Sequence, residues 1–431
     1  MKQTYNLVEF FSGIGSQARA LENLNVTINT MATCEWDIHA FVAYDAIHNS
    51  PKIDDEIAQM EKSEILDILK DYNLSNDGKK PMEYSMLKTY SVEALRHILS
   101  GIKRSNNFVD ISSLKGADMP ENIDILTYSF PCQDLSNVGA FHGYNKGIDK
   151  DSNSRSSLLW QVGRILQEMN DAGKSLPRFL VMENVPTLLS KRHSGNFNTW
   201  INELRDLGYF SRYYQLNAYD FGLPQNRPRL LMLSIWCGND EDLYHILEER
   251  FADITEETVK RDYHESVFYK KKSVKKLLRT DYNKKSYKLE AIECTPNDTP
   301  SRRKIWEENP KIILPDGSLN PDVKYVRTIT TKQDRNPNSG NLYFDSGMEG
   351  RSKFRYLTPR ECLLFMGFKD EDFINIKKNN VEFHKGDWFF PRDKIIRMAG
   401  NSIPIKLLEG IFWLMIQTDE FIRHYKNIRT K

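Results

Sequence analysis

A doubly wound α/β sheet carrying a smaller inserted domain is the fold this sequence predicts, on three observations. Strand-like runs alternate with amphipathic helical runs through residues 1–238. The first strand passes through a glycine turn directly into a helix. Beyond residue 238 the alternation is lost and the chain turns basic, which sets that part off as a separate unit. The 431 residues carry 60 Lys plus Arg against 59 Asp plus Glu, a net charge of +1, with 40% hydrophobic and 28% charged residues. A near-neutral chain with apolar residues throughout is expected to fold as a globular protein. No apolar stretch approaches the roughly 20 residues that cross a bilayer, and the start runs into a strand without a secretory core. No membrane partner and a cytoplasmic location are therefore expected.

Taken in order, Leu7-Val8-Glu9-Phe10-Phe11 reads as a strand, Ser12-Gly13-Ile14-Gly15-Ser16 as the turn and Gln17-Ala18-Arg19-Ala20-Leu21-Glu22 as a helix start. A second strand, Ile28-Asn29-Thr30-Met31-Ala32-Thr33-Cys34, ends at Glu35-Trp36-Asp37. Further strands are expected at 123–128, 179–182 and 229–235, with amphipathic helices at 158–169 and 197–207 between them. Such alternation implies a parallel sheet with its site at the carboxyl ends of the strands. Residues 51–104 read as a helical insertion around a Gly78-Lys79-Lys80-Pro81 turn, with an acidic, solvated face and no assigned function. The expected main domain is 1–238 plus 395–431, the inserted domain 239–370 and the hinge 371–394. Within the inserted part, 260–304 holds 14 Lys or Arg against 6 Asp or Glu, interleaved with Tyr263, Phe268, Tyr269, Tyr282 and Tyr287. A basic, aromatic-studded segment on a neutral body suits a polyanion.

The five cysteines, Cys34, Cys132, Cys237, Cys294 and Cys362, are scattered and form no zinc-site spacing, so neither a disulfide framework nor a metal is expected. A glycine turn between strand and helix lets a ligand approach the backbone and the helix N-terminus. Glu35 ends the next strand, where a carboxylate accepts from both hydroxyls of a ribose. Phe11 and Trp36 flank these strand ends as candidate walls for an adenine, and Asp110, followed by Ile111, is a candidate acceptor for its amine. The pattern Gly13-x-Gly15-x-x-Ala18 leaves a dinucleotide and S-adenosylmethionine both open.

The reacting groups narrow the choice. Ile125-Leu126-Thr127-Tyr128-Ser129-Phe130 is a buried strand that stops at Pro131-Cys132-Gln133, which raises Cys132 above the other cysteines. Phe179-Leu180-Val181-Met182 ends at Glu183-Asn184-Val185-Pro186, where a partly desolvated carboxylate should hold its proton more tightly. Gln225-Asn226-Arg227-Pro228-Arg229 leads into Leu230-Leu231-Met232-Leu233, with two Arg in alternate positions suited to a phosphate or a polarised carbonyl.

These stretches, with Leu357-Thr358-Pro359-Arg360-Glu361-Cys362 and Gly400-Asn401-Ser402, make an ordered set that resembles the motifs of DNA (cytosine-5) methyltransferases of the prokaryotic restriction–modification type. The resemblance spans nearly the whole chain apart from the insertion and the basic segment. It implies the Rossmann-like sheet of S-adenosylmethionine-dependent methyltransferases with an inserted target-recognition domain. It implies Cys132 as the nucleophile toward carbon 6 of a flipped-out cytosine, Glu183 at N3 and the amine, and Arg229 at O2. It also implies S-adenosyl-L-methionine held by Phe11, Ser12, Gly13, Ile14, Gly15, Glu35, Trp36, Asp110, Ile111, Asn401 and Ser402. Arg227 is expected at a DNA phosphate or in support of the site, Arg327 and Thr330 at the backbone of double-stranded DNA, and Arg155 in a supporting role. No obligate protein partner is expected, and the chain should act as a monomer. A tRNA cytosine-5 methyltransferase would use the same catalytic residues but lacks the long recognition segment. A nicotinamide-dependent dehydrogenase would leave Cys132, Glu183 and Arg229 idle, and a catalytically silent DNA-binding relative would have no use for Cys132 and Glu183.

Overall fold

The computed structural model of the chain describes residues 3–131, 155–334 and 337–429. Its central sheet contains β1 (Thr4–Phe10), β2 (Thr27–Cys34), β3 (Ile125–Tyr128), β4 (Phe179–Asn184), β5 (Tyr209–Asn217) and β7 (Pro228–Trp236), in the order β2-β1-β3-β4-β7-β5; β6 (Gln225–Asn226) lies outside it. The first four strands are mutually parallel, and helical segments connect each to the next. β7 departs from the expected parallel run, because it lies antiparallel to both β4 and β5. No helix intervenes between β5 and β7. Without a crossover a strand returns beside its predecessor in the opposite direction.

Side-chain alternation divides the core between the two faces. Leu7, Phe179, Val181, Leu231 and Leu233 pack on the face covered by Ser16–Asn23, Ile38–His48 and Ile405–Arg429. Val8, Phe10, Leu180, Met182, Leu230 and Met232 pack on the other, beneath Leu159–Asp171 and Ser194–Asp206. The 51–104 insertion is helical as expected, and its last helix, Val92–Arg104, lies against Ile38–His48 with Arg104 placed 3.1 Å from Asp45.

Beyond residue 239, where the inserted domain is expected to begin, the chain keeps contact with the main sheet. Helices Glu241–Ala252 and Glu256–Glu265 pack on β5 and on the C-terminal helix, where Phe210 meets Phe251 and the Tyr263 hydroxyl donates to Glu409. Helix Asp370–Lys378, at the start of the expected hinge, packs on Ile38–His48 and takes an ion pair from Arg19 to Asp372 at 2.6 Å. The smaller sheet comprises β8 (Lys311–Ile313), β10 (Asn341–Tyr343) and β11 (Phe354–Arg355), while β9 (Val326–Arg327) pairs in parallel with β6 and so ties this part to the body. Among the described residues no helix is long and apolar enough to cross a membrane.

Candidate active site

The carboxyl ends of β1 to β4 open onto a cavity of about 580 Å³, within the range of nucleoside-sized ligand sites. Its floor is the turn after β1. Gly15 adopts the left-handed region at φ 79° as the N-cap of Ser16–Asn23, and a Cβ there would stand 2.2 Å from His48 Nε2 and 2.8 Å from Tyr44. Gly15 therefore packs against the helix behind the turn and does not line the cavity, unlike Phe11, Ser12, Gly13 and Ile14. Beneath it the buried Glu9 accepts from the Ala18 N–H at 3.2 Å and from the Tyr44 hydroxyl at 2.5 Å, and burial pushes its carboxyl up to about 7.

Glu35 sits at the end of β2 with both oxygens engaged, Oε2 by the Gly13 N–H at 3.1 Å and Oε1 by the Asp37 N–H at 2.9 Å. Burial, aided by the charge of Asp37, raises its carboxyl to about 7 against the pull of those donors. Asn107 fixes the residue's backbone, accepting from the Glu35 N–H at 3.0 Å and donating to its carbonyl at 2.9 Å. Asp37 caps helix Ile38–His48 and pairs with Arg397 at 2.6 Å. Asp110 accepts from the Ser112 N–H at 2.9 Å and from Asn73 Nδ2 at 2.6 Å. Trp36, Ile111 and Val109 supply apolar wall. The Ser12 hydroxyl is buried in this wall with no hydrogen-bond partner among the described groups, a donor that a polar ligand would satisfy.

On the β4 side of the same cavity, Arg229 Nε lies 2.7 Å from Glu183 Oε1, and each side chain keeps 12% exposure. Burial raises the Glu183 carboxyl above its ordinary range, opposed by the nearby charges of Arg229 and Arg227. Asn184 Nδ2 donates to the Phe130 carbonyl at 3.1 Å and so joins the ends of β3 and β4. Ser129, Phe130 and Pro131 line the cavity. Cys132 and Arg155 lie outside the residues whose side chains are described. The other four cysteines are buried. Among them Cys34 lines the cavity, and burial holds its thiol protonated.

Of the two roles expected for Arg227, a phosphate contact or support of the site, its surroundings bear on the second. It lines the cavity but is only 2% exposed, and its guanidinium donates to the carbonyls of Ile329 at 2.7 Å, Gly400 at 2.7 Å and Ser402 at 3.0 Å. A buried group so engaged braces the segments that meet at the cavity. Gln225 acts beside it, donating to the Phe365 carbonyl at 2.9 Å and accepting from the Ile329 N–H at 3.1 Å. Asn401 is exposed at the cavity rim, whereas the Ser402 hydroxyl donates back to the Met398 carbonyl at 2.8 Å. Arg327 is exposed on β9, away from the cavity lining, and the half-buried Thr330 donates to the Lys332 carbonyl at 2.8 Å. Sequence reasoning missed Asn73, Asn107 and Arg397. Each acts through a partner distant in sequence, and polar loops or helix surfaces carry no periodic signal for such pairs.

Residues 86–417 match the model of the family described as C-5 cytosine-specific DNA methylase. The chain is 31% identical over 409 residues to the orphan methyltransferase M.SssI of Spiroplasma monobiae, covering 94% of this chain and 95% of that protein. It is 30% identical over 415 residues to the type II methyltransferase M2.ScrFI of Lactococcus lactis subsp. cremoris, covering 94% and 97%. The fold is shared with the crystal structure of S. pombe Dnmt2 methyltransferase, at TM-score 0.58 and 16% identity over 96% of this chain and 99% of that one. It is also shared with the Entamoeba histolytica methyltransferase EhMeth, at TM-score 0.53 and 14% identity over 96% and 97%.

Proposed function

Because the chain belongs to the C-5 cytosine-specific DNA methylase family and is a DNA (cytosine-5) methyltransferase, we propose how its residues share the work. The observation that carries the reading is the Glu183–Arg229 pair, which faces the same cavity as the Glu35 and Ser12 pocket. S-adenosyl-L-methionine fits that pocket: Glu35 offers acceptors to a ribose, Ser12 a spare hydroxyl, Asp110 an acceptor to an adenine amine, and Phe11, Trp36 and Ile111 flat or apolar wall. Gly13, Ile14, Asn401 and Ser402 complete the enclosure. When bound, this cofactor supplies an electrophilic methyl group.

Cytosine is a poor electrophile until its N3 side is protonated or hydrogen-bonded. Glu183, whose carboxyl holds its proton more tightly than usual, donates at N3 and accepts from the exocyclic amine. Arg229 steadies the negative charge that builds toward O2. The Cys132 thiolate adds to carbon 6, which makes carbon 5 nucleophilic. Once carbon 5 carries the methyl group it loses its proton, and the Cys132 sulfur leaves to restore the ring. The base must leave the helical stack to reach these groups, at a cost of a few kcal/mol. The burial of Cys34, Cys237, Cys294 and Cys362 supports assigning Cys132 as the nucleophile.

Arg327, Thr330 and the basic 260–304 segment bind double-stranded DNA through its backbone. The protein works in the cytoplasm and protects DNA from a cognate restriction endonuclease, a role supported by its likeness to type II methyltransferases. The test is transfer of a tritiated methyl group to duplex DNA and to tRNA, followed by bisulfite sequencing of the DNA. Labelling of duplex DNA at unconverted cytosines supports the reading; labelling of tRNA alone overturns it.

A further inference from the structure

The 51–104 insertion reaches the cofactor cavity. Its loop after helix Lys62–Leu69 is tied to the end of β2, where the Ser75 N–H donates to the Trp36 carbonyl at 2.8 Å and the Ile38 N–H donates to the Ser75 carbonyl at 3.0 Å. The same loop is held from the other side by Lys394, which donates to the Asn76 carbonyl at 2.6 Å, and by Arg397, which donates to the Asp77 carbonyl at 2.8 Å. Asn73 stands at the mouth of the cavity on this anchored loop, and its Nδ2 donates to Asp110 Oδ2 at 2.6 Å.

We propose that Asn73 is a cofactor-binding residue that reads the adenine edge of the methyl donor together with Asp110. The inference rests on the cofactor reading above. A carboxylate only accepts hydrogen bonds, so Asp110 selects the amino end of the Asn73 amide and leaves the carbonyl and the second N–H available to a ligand. An acceptor beside a donor complements the Watson–Crick edge of adenine, whose exocyclic amine donates and whose N1 accepts. Each Asp110 oxygen keeps a further lone pair beyond its present donor, so the carboxylate can accept from the same amine. A hypoxanthine base inverts this pattern, presenting a carbonyl oxygen to Asp110 and a ring N–H where adenine has an acceptor.

The test is calorimetric binding of S-adenosylhomocysteine and S-inosylhomocysteine to the full chain and to Asn73→Ala. The wild type should prefer the adenosyl compound. Asn73→Ala should bind it about threefold to tenfold more weakly, as expected for one lost hydrogen bond, while binding of the inosyl compound changes little and the preference narrows. Asn73 is exposed, so the variant should melt at the wild-type temperature. Unchanged adenosyl binding, or equal weakening of both compounds, overturns the proposal and reduces Asn73 to part of the wall. Failure of the wild type to bind either compound would instead overturn the cofactor reading, and this inference with it.

Discussion

Arg229 meets Glu183 because β7 runs against β4: Glu183 pairs in register with Leu231, so the start of one strand stands beside the end of the other. Were β7 parallel, Arg229 would open its strand at the opposite edge of the sheet, remote from the cavity. Replacing Arg229 with Ala leaves a mostly buried carboxylate without its partner, and a loss of about 3 kcal/mol in folding stability is expected. Glu183→Gln keeps the shape but not the acid, so turnover should fall by about a hundredfold or more with little change in DNA affinity. Denaturant melts and single-turnover methylation check both expectations.

Glu35 gives cofactor binding a pH dependence. Its carboxyl is raised to about 7, so the form that accepts from both ribose hydroxyls dominates above that pH and is lost below it. Affinity for S-adenosylhomocysteine should be full at about pH 8 and about tenfold weaker at about pH 6, and Glu35→Gln should flatten the profile. The same raised value means that this group destabilises the unliganded fold as pH rises from the ordinary carboxylate range toward 7, because the folded state then holds more protons than the unfolded one. Titration calorimetry across this range reads the first effect and thermal melts the second.

Arg227 and Arg327 should separate cleanly. Arg227→Lys keeps the charge but gives up most of the three carbonyl contacts, so a stability loss of about 3 kcal/mol is expected, with an unchanged salt dependence of DNA binding. Arg327→Ala should leave stability alone and reduce the slope of log affinity against log salt by about 1. Fluorescence anisotropy at a series of salt concentrations distinguishes the two.

At Gly400 a Cβ would stand 2.6 Å from the Thr330 carbonyl carbon and 2.6 Å from the Thr331 nitrogen, both backbone atoms. Gly400→Ala should therefore push apart the helix that leads to Asn401 and the segment after β9 that Arg227 also holds, at a cost of about 1–3 kcal/mol. Because Asn401 and Ser402 follow directly, weaker cofactor binding should accompany the lower melting temperature, whereas Asn401→Ala should weaken binding alone.

Much of the pocket was legible in the sequence because its signals are local. A strand, a glycine turn and a helix occupy one short window, and Glu35 and Glu183 each end an apolar run. Direction was not legible: Leu230-Leu231-Met232-Leu233 reads alike for a parallel or an antiparallel strand. The basic composition of 260–304 gave no sign that Tyr263, inside that charged stretch, docks its own helix on the body through Glu409. The role of Arg227, a phosphate contact or support of the site, stayed open in the sequence because its carbonyl partners lie 102, 173 and 175 residues away. The Asn73 loop is polar and aperiodic, so nothing marked it as part of a site.

The assignment of Cys132 as the nucleophile is tested most directly by trapping. A duplex carrying 5-fluorocytosine in place of the target cytosine blocks loss of the carbon 5 substituent, so the Cys132 sulfur cannot leave after methylation. The wild type with S-adenosylmethionine should form a protein–DNA adduct that survives denaturing electrophoresis, with the modified peptide containing Cys132, and Cys132→Ala should form none. An adduct at any other residue, or methylation at carbon 5 that persists in Cys132→Ala, would contradict the account.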